Sequence, residues 1–384
     1  MNLWPGRSIF DVDDAMRLAK RRMPHMMFDF VQGAVGTELA ANLNCEALNR
    51  IRLCPRVLVN VDGRKLGKQF LDEDMGLPFG IAPMGMCNLV WPGADGILAE
   101  QAAKHNIPLG VSTAASSRLE DMIEQSGGKA WFQLYVYQSH EAAFDLVDRA
   151  AAAGYTKLLL TVDVTQLSRR VRDLRNGFQV PFKMGPRQFA DFALHPTWSL
   201  KTLAMGVPSP QNYDALKGDA DATRNANRGS ADWNFLKRLR ERWKHKLVVK
   251  GVLSPADAVQ IKQIGADAVY VSNHGGRQLD SAPPAIQALG AVRSAVGPDY
   301  PLIFDSGVRS GEDVVKALAM GADFVMLGRP MLYAIGANGA RGLNQLLEIL
   351  KQDVDVALSQ IGLTDISDVT AQMLYETSVA PTAK

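Results

Sequence analysis

The densest chemistry in the chain lies in Ser272-Asn273-His274-Gly275-Gly276-Arg277-Gln278-Leu279-Asp280. A histidine can take a proton near neutral pH. An arginine three residues on can hold a carboxylate or phosphate in its planar fork. The glycines between them let backbone and ligand approach closely. Singly, such residues are more often structural. Here they gather at the end of one apolar run, Ala268-Val269-Tyr270-Val271, which reads as a buried strand. That combination points to an active site.

The elements that must position this turn can be read around it. Gly251-Val252-x-Ser254-x-x-Asp257-x-Val259, followed by Gly265-Ala266-Asp267-x-Val269, recurs 56 residues later as Gly307-Val308-x-Ser310-x-x-Asp313-x-Val315 and Gly321-Ala322-Asp323-x-Val325. Each copy reads as strand, loop, helix, turn and next strand, with Ser254 and Ser310 as N-caps and Asp257 and Asp313 completing capping boxes. Repeated βα units imply parallel strands with right-handed crossovers. Eight such apolar runs are found: Phe79–Pro83, Pro108–Ser112, Trp131–Val136, Lys157–Asp163, Leu247–Lys250, Ala268–Ser272, Leu302–Asp305 and Phe324–Gly328. Eight units predict an α/β fold, a TIM (β/α)8 barrel, with an N-terminal helical extension (Asp11–Arg22, Met27–Val31, Thr37–Arg50) and a long loop after the fourth strand. The chain reads as one domain over 1–384: extension 1–75, barrel 76–366, and a flap inserted at 181–230. Within the flap, Gly218–Gly229 has a mobile composition. Phe189–Gly206 mixes apolar and basic residues and reads as a partly ordered flap, or alternatively as a membrane-surface or partner-binding segment.

Barrels place their chemistry at the C-terminal ends of the strands. Those ends read, in order, Ala82-Pro83-Met84-Gly85; Ser112-Thr113; Gln133-Leu134-Tyr135; Thr161-Val162-Asp163; Lys250-Gly251; Ser272-Asn273-His274; Asp305-Ser306-Gly307 with Arg309 behind; and Gly328-Arg329-Pro330. A complete polar ring is hard to explain by folding alone. Gly307, Gly328, Arg309 and Arg329 suit a phosphate in the loops after the last two strands. Lys250 would project into the mouth, where it could stabilise an electron-rich ring or an enolate; a Schiff-base lysine is the rival reading. Asp163 could orient His274 and raise its basicity. No G-x-G-x-x-G follows a strand, so a Rossmann dinucleotide site is disfavoured.

Composition narrows the field. Lys+Arg total 42 and Asp+Glu 40, a net charge of +2, which argues against a nucleic-acid binder. Cys45, Cys54 and Cys87 lack zinc-type spacing, so no metal is expected, and they fit reduced thiols in a cytoplasm. No run of about 18 apolar residues is present, and the N-terminus lacks a secretory leader.

These residues resemble the FMN-dependent L-2-hydroxy acid oxidase and dehydrogenase family. The resemblance runs from Pro24 to about Ile366 and is nearest its mandelate and lactate dehydrogenase branch. It implies that His274 is the base that takes a proton from substrate, with Asp163 pairing the imidazolium. Arg277 and Arg170 hold the carboxylate, and Tyr135 contacts the oxygen at the reacting carbon. FMN is the implied cofactor. Lys250 lies near its N1–O2 edge and stabilises the reduced, anionic form; Ser112, Gln133 and Thr161 contact the ring; the backbone of Pro83, Met84 and Gly85 approaches N5; Ser272, Asp305, Gly307, Arg309, Gly328 and Arg329 complete the cofactor set. The implied reaction oxidises an L-2-hydroxy acid to the 2-keto acid, by hydride or by carbanion. Electrons would pass to a quinone or cytochrome, with the protein cytoplasmic or peripheral on the inner face of the membrane through 181–230, and homo-oligomeric, a homotetramer as family members often are. A peroxide-forming oxidase, using oxygen, is the first alternative; an FMN-barrel isomerase or ligand-binding protein is the second.

Three departures stand out. The family usually has Tyr-Asp-Tyr where this chain has Phe28-Asp29-Phe30, so Phe30 brings an apolar ring to the carboxylate site and one charge-assisted hydrogen bond is lost, on the order of 1.5–3 kcal/mol if buried. Ala114 is small enough to admit a larger substrate side chain. After Asp163, Thr165 and Ser168 replace the usual Pro and Gly.

Overall fold

A two-stranded antiparallel ribbon, β1 (Lys68–Phe70) and β2 (Glu73–Met75), precedes eight parallel strands: β3 (Phe79–Met84), β4 (Leu109–Ser112), β5 (Ala130–Leu134), β6 (Lys157–Thr161), β7 (Lys246–Val252), β8 (Ala268–Val271), β9 (Leu302–Phe304) and β10 (Phe324–Leu327). Strands β3 to β10 pair in sequence order and close through β10 on β3, with Val325 opposite Phe79. The expected (β/α)8 barrel is therefore present. The computed structural model describes residues 8–137, 139–178, 184–213 and 230–375; Gly218–Gly229, read above as mobile, lies outside the described residues.

Strand periodicity decides what the barrel encloses. Side chains alternate between faces, and the two buried clusters sort accordingly. Trp131, Leu159, Val248, Ala268, Tyr270, Ile303, Phe324 and Met326 fill the interior. Val249, Val269, Val271, Phe304, Val325 and Leu327 face the helices. The same parity carries Ser112, Gln133, Thr161 and Lys250 inward at the strand ends, so the polar ring is the topmost layer of the interior. The opposite end is plugged by the ribbon: Phe70 stacks on Phe324 at 5.1 Å and lies 6.3 Å from Trp131. This ribbon falls inside the segment read as helical. Its turn residues, Leu71 and Asp72, both adopt positive φ (48° and 64°). Neither forms the Asn-Gly or Asp-Gly pair that announces such a turn, so the sequence carries no signal for it.

Both repeated serines cap their helices, Ser254 Oγ accepting from Asp257 N–H and Ser310 Oγ from Asp313 N–H. The second box does not close on itself, because Asp313 accepts from Arg309 N–H instead. The N-terminal extension forms helices Val12–Arg22, His25–Gln32 and Leu39–Arg50. The long β6–β7 connection contains Val171–Asn176, Pro186–Ala193, Pro196–Met205 and Trp233–Arg242. Of the two central flap helices, the first buries none of its described side chains and the second only Trp198. The Trp198 indole donates to the carbonyls of Leu89 and Val90, and Lys201 stacks over Trp91. Asp191 accepts from the N–H groups of His25 and Met26, and the buried Asn212 side chain accepts from Leu119 N–H and donates to Ser117 O, so the flap is tied at several points while Phe189, Leu194, Leu200, Leu203, Met205 and Val207 stay in solvent.

Candidate active site

The signature turn is built from backbone that few residues tolerate. His274, Gly275 and Gly276 all have positive φ (57°, 64° and 75°). A Cβ at Gly276 would lie 2.4 Å from Ala41 N, so glycine is required there. His274 holds the left-handed conformation at a cost of about 1–2 kcal/mol, and surrounding contacts impose it. Ser272 Oγ accepts from His274 N–H, and Ser306 Oγ accepts from Asn273 and Gly275 N–H. The Asn273 side chain forms a reciprocal amide pair with Asn44 at 2.8 and 2.9 Å. Asp280 accepts from the Thr37 N–H and hydroxyl. The N-terminal helices therefore brace the turn from outside the barrel.

Within this frame His274 Nδ1 lies 3.0 and 3.2 Å from the two oxygens of Asp163. Burial by itself would raise the Asp163 carboxyl, but the charge and hydrogen bond of His274, with Lys250 beyond, hold it below the usual carboxylate range. An ionised Asp163 fixes the proton on Nδ1 and leaves Nε2 as a lone pair able to accept one. Gly251 sets the carboxylate's place: its φ is +99°, and a Cβ there would lie 2.5 Å from Asp163 Cγ. The β7–β8 register shifts across Lys250 and Val252, a bulge at the rim that re-aims the side chain.

An anion-seeking cluster faces this pair. Arg277 Nη1 donates to the carbonyls of Phe30, Val31 and Gly33, at 3.0, 3.3 and 2.7 Å. Burial, then repulsion from Arg170 and Arg329, push its guanidinium well below the usual arginine range. Arg170 Nη1 lies 3.2 Å from Asp173 Oδ2, yet it is buried without hydrogen-bond geometry to any partner. Both guanidiniums sit on one ring, their Cζ atoms 5.4 Å (Arg170) and 5.6 Å (Arg277) from the Phe30 centroid, and Phe178 stacks on that ring at 4.8 Å. Two crowded cations with an unmatched N–H suit a carboxylate. Tyr135 is half-buried at the end of β5, its N–H donating to Thr113 Oγ1.

The remaining strand ends form a cradle. The Ser112 hydroxyl donates to Gln133 Oε1, and Gln133 Nε2 donates to Thr161 Oγ1, a buried polar line across three strands that fits the edge of a planar polar heterocycle. Lys250 Nζ donates to Ser272 Oγ at 2.9 Å and lies 3.3 Å from Asp305 Oδ2. Pro83, Met84 and Gly85 stay partly open at the end of β3, and a Cβ at Gly85 would press on that of Ala114 at 3.0 Å. Gly307 packs on Asn44, where a Cβ would lie 2.9 Å from backbone. Gly328 caps the helix that begins at Arg329 and breaks at Asn338 and Gly339, and its N-terminal N–H groups suit a phosphate. The guanidinium of Arg309 donates to Val308 O, and that of Arg329 to the carbonyls of Val31, Gly33 and Gly275.

Ser306, Asn44, Phe178 and Tyr270 also pack into the site without belonging to the expected set. Ser306 is a positive-φ serine (87°), a property without a sequence signature. Asn44 is one polar residue in an ordinary helix. Phe178 follows the Gly177 turn that ends the helix before the flap. Tyr270 had a signal: period two counted back from Ser272 places it on the inward face.

The barrel with this rim suits an enzyme that holds a planar cofactor and a small carboxylate. The chain belongs to the FMN-dependent dehydrogenase family, which it matches over residues 19–376, and it is accordingly an FMN-dependent oxidoreductase. It is 38% identical to (S)-mandelate dehydrogenase of Pseudomonas putida, over 98% of this chain and 97% of that protein. It is 36% identical to L-lactate dehydrogenase of Pseudomonas syringae pv. syringae (strain B728a), over 96% and 99%. Among solved structures, that of the monotopic membrane protein (S)-mandelate dehydrogenase superposes with a TM-score of 0.92 at 38% identity, covering 96% of this chain and 99% of that one. A mandelate oxidase superposes with a TM-score of 0.82 at 33% identity, over 96% and 98%.

Proposed function

We propose that the protein oxidises an L-2-hydroxy acid of mandelate or lactate type to the 2-keto acid. The observation that carries this reading is the His274–Asp163 pair opposite the Arg170–Arg277 cluster. A substrate whose carboxylate is held by the two arginines presents its adjacent hydroxyl-bearing carbon to the base. His274 Nε2 takes the substrate proton, and Asp163 stabilises the imidazolium that results. Tyr135 contacts the reacting oxygen. Bound FMN supplies the two-electron acceptor. Lys250, Ser112, Gln133, Thr161 and the backbone of Pro83–Gly85 would hold its ring system; Ser272, Asp305, Gly307, Arg309, Gly328 and Arg329 would hold its ribityl chain and phosphate. Phe30 and Ala114 line the substrate side.

Electrons then leave for a quinone or cytochrome. A membrane-surface position for the flap supports that acceptor class: its outward face is apolar, Lys201 flanks it, and a close relative is a monotopic membrane protein. Among the described residues no helix is long and apolar enough to cross a membrane, so the contact is peripheral. The likeness to a mandelate oxidase keeps oxygen as the second acceptor reading.

The test is anaerobic. The purified yellow protein is mixed with L-mandelate and L-lactate in separate cuvettes. Bleaching of the visible bands by either acid is expected, and the faster one names the substrate branch. A spectrum unmoved by any L-2-hydroxy acid would overturn the proposal. Oxygen uptake during turnover would replace the quinone reading with the oxidase one.

A further inference from the structure

One polar group in the barrel core has no part in the reaction as described. Tyr270 is fully buried on the inward face of β8, among Val248, Ile303 and Phe324. Its register partners are Lys250 on β7 and Ile303 on β9. A buried phenol needs a partner for its hydroxyl, and this one donates to Asp305 Oδ2 at 2.8 Å. The same oxygen lies 3.3 Å from Lys250 Nζ. Lys250 in turn sits 4.6 Å from the centroid of the Tyr270 ring, and Ser306 Oγ donates to the other Asp305 oxygen at 2.8 Å. Lys250 is therefore held from three sides: the Ser272 hydroxyl, the Asp305 carboxylate and the Tyr270 π-face.

The arrangement divides one carboxylate between two donors. Asp305 would neutralise Lys250 if it had no other partner in reach. The Tyr270 hydroxyl draws part of the Asp305 charge to itself, and burial beside that carboxylate keeps the phenol protonated, a donor at every physiological pH. More of the Lys250 charge is then left facing the barrel mouth. The ring beneath Lys250 holds the ammonium without cancelling it.

We infer that Tyr270 is a positioning residue that sets the electrostatic strength of Lys250, through the shared Asp305 carboxylate, and thereby raises the reduction potential of the bound flavin. The inference rests on the reading that Lys250 faces the flavin ring. Tyr270→Phe removes only the hydroxyl and keeps the π-face. Asp305 then turns its full charge on Lys250, and uptake of negative charge by the cofactor is less well stabilised.

The readout is the midpoint potential of FMN in the purified holoprotein, measured by spectroelectrochemical titration in wild type, Y270F, K250M and the double variant. Y270F is expected to weaken stabilisation of the reduced state about tenfold, a fall of about 30 mV for a two-electron couple. In the K250M background the same substitution should shift nothing, since its intermediary is gone. An unchanged potential in Y270F, with K250M displaced, overturns the inference. So does an equal shift in both backgrounds, which would make the tyrosine act directly. A K250M protein with the wild-type potential would instead sink the placement of Lys250 at the flavin, a separate failure. Retention of yellow FMN and of the melting temperature in Y270F excludes simple loss of structure.

Discussion

Phe30 stands where a hydroxyl could have held substrate, and its replacement gives the sharpest check on the clamp. The ring lies within 6 Å of two guanidinium carbons, at 5.4 and 5.6 Å, in a half-buried setting. A cation–π contact there is worth about 1 kcal/mol, so two together give about 2 kcal/mol of support for the geometry that receives the carboxylate. Phe30→Leu keeps an apolar side chain and the backbone carbonyl that Arg277 uses, but removes the π-face. At 1.36 kcal/mol per decade, kcat/KM for the hydroxy acid should fall about 30-fold, mostly through KM, because the clamp is needed in ground and transition states alike. Phe30→Tyr keeps the face and adds a donor; its KM should fall about tenfold if the hydroxyl reaches the carboxylate, near the lower limit for a hydrogen bond to a charged group. Steady-state kinetics with a saturating artificial acceptor, alongside melting temperatures, separate binding from folding. If Phe30→Leu melts earlier yet keeps its KM, the ring is core filling and the reasoning about the arginines is wrong.

Other consequences follow from the same geometry. His274→Asn should retain FMN and its visible spectrum while anaerobic bleaching by substrate slows by about 10²–10⁴, the usual worth of a positioned base; stopped-flow absorbance measures this, and a loss under tenfold removes His274 from that role. The depressed Asp163 carboxyl gives the pair a contribution to stability that is present above the unfolded value of 3.8 and lost as pH falls through the lower folded value; the melting-temperature gap between wild type and Asp163→Asn should therefore be open at pH 5 and close in strong acid. Asp95 behaves oppositely: burial raises its carboxyl from 3.8 to about 6, so its cost grows as pH rises between those values and is constant above them. Asp95→Asn should thus gain stability at pH 7.5 and none at pH 4, by at most about 3 kcal/mol, as chemical denaturation at the two pH values would show. Finally, a Leu200→Glu/Leu203→Glu protein should lose co-sedimentation with lipid vesicles while keeping turnover with a water-soluble acceptor; unchanged sedimentation would remove the flap from the membrane contact.

What could be read in advance, and what could not, divides along physical lines. The barrel was legible because strand and helix periods and a nine-residue identity at fixed offset are local properties. The ring of strand-end residues followed from counting along each run. Most of what braces the ring was not legible, because those contacts join residues far apart in sequence: Asn44 to Asn273, Thr37 to Asp280, Arg277 to Gly33. The β1–β2 ribbon escaped because its Leu71-Asp72 turn violates the usual turn chemistry. The Phe30 ring was visible as a departure from the family, but its place beneath both arginines depends on Phe178 and on the approach of the second helix, which no spacing encodes.

The bracing by the first helices bears on how the protein is made. Asn44 leaves the ribosome 229 residues before its amide partner Asn273. At roughly 5–20 residues per second, that is about 10–50 s during which the mouth of the barrel has no finished rim. Arg329, which ties Val31 and Gly33 to Gly275, arrives later still. A nascent or truncated chain can therefore build its first strands while the barrel is open and the turn bearing His274 remains unlatched. Catalytic competence is gained near the end of synthesis, when the last-made third of the polypeptide reaches back for the first, so a premature stop before residue 329 leaves a chain without a closed site.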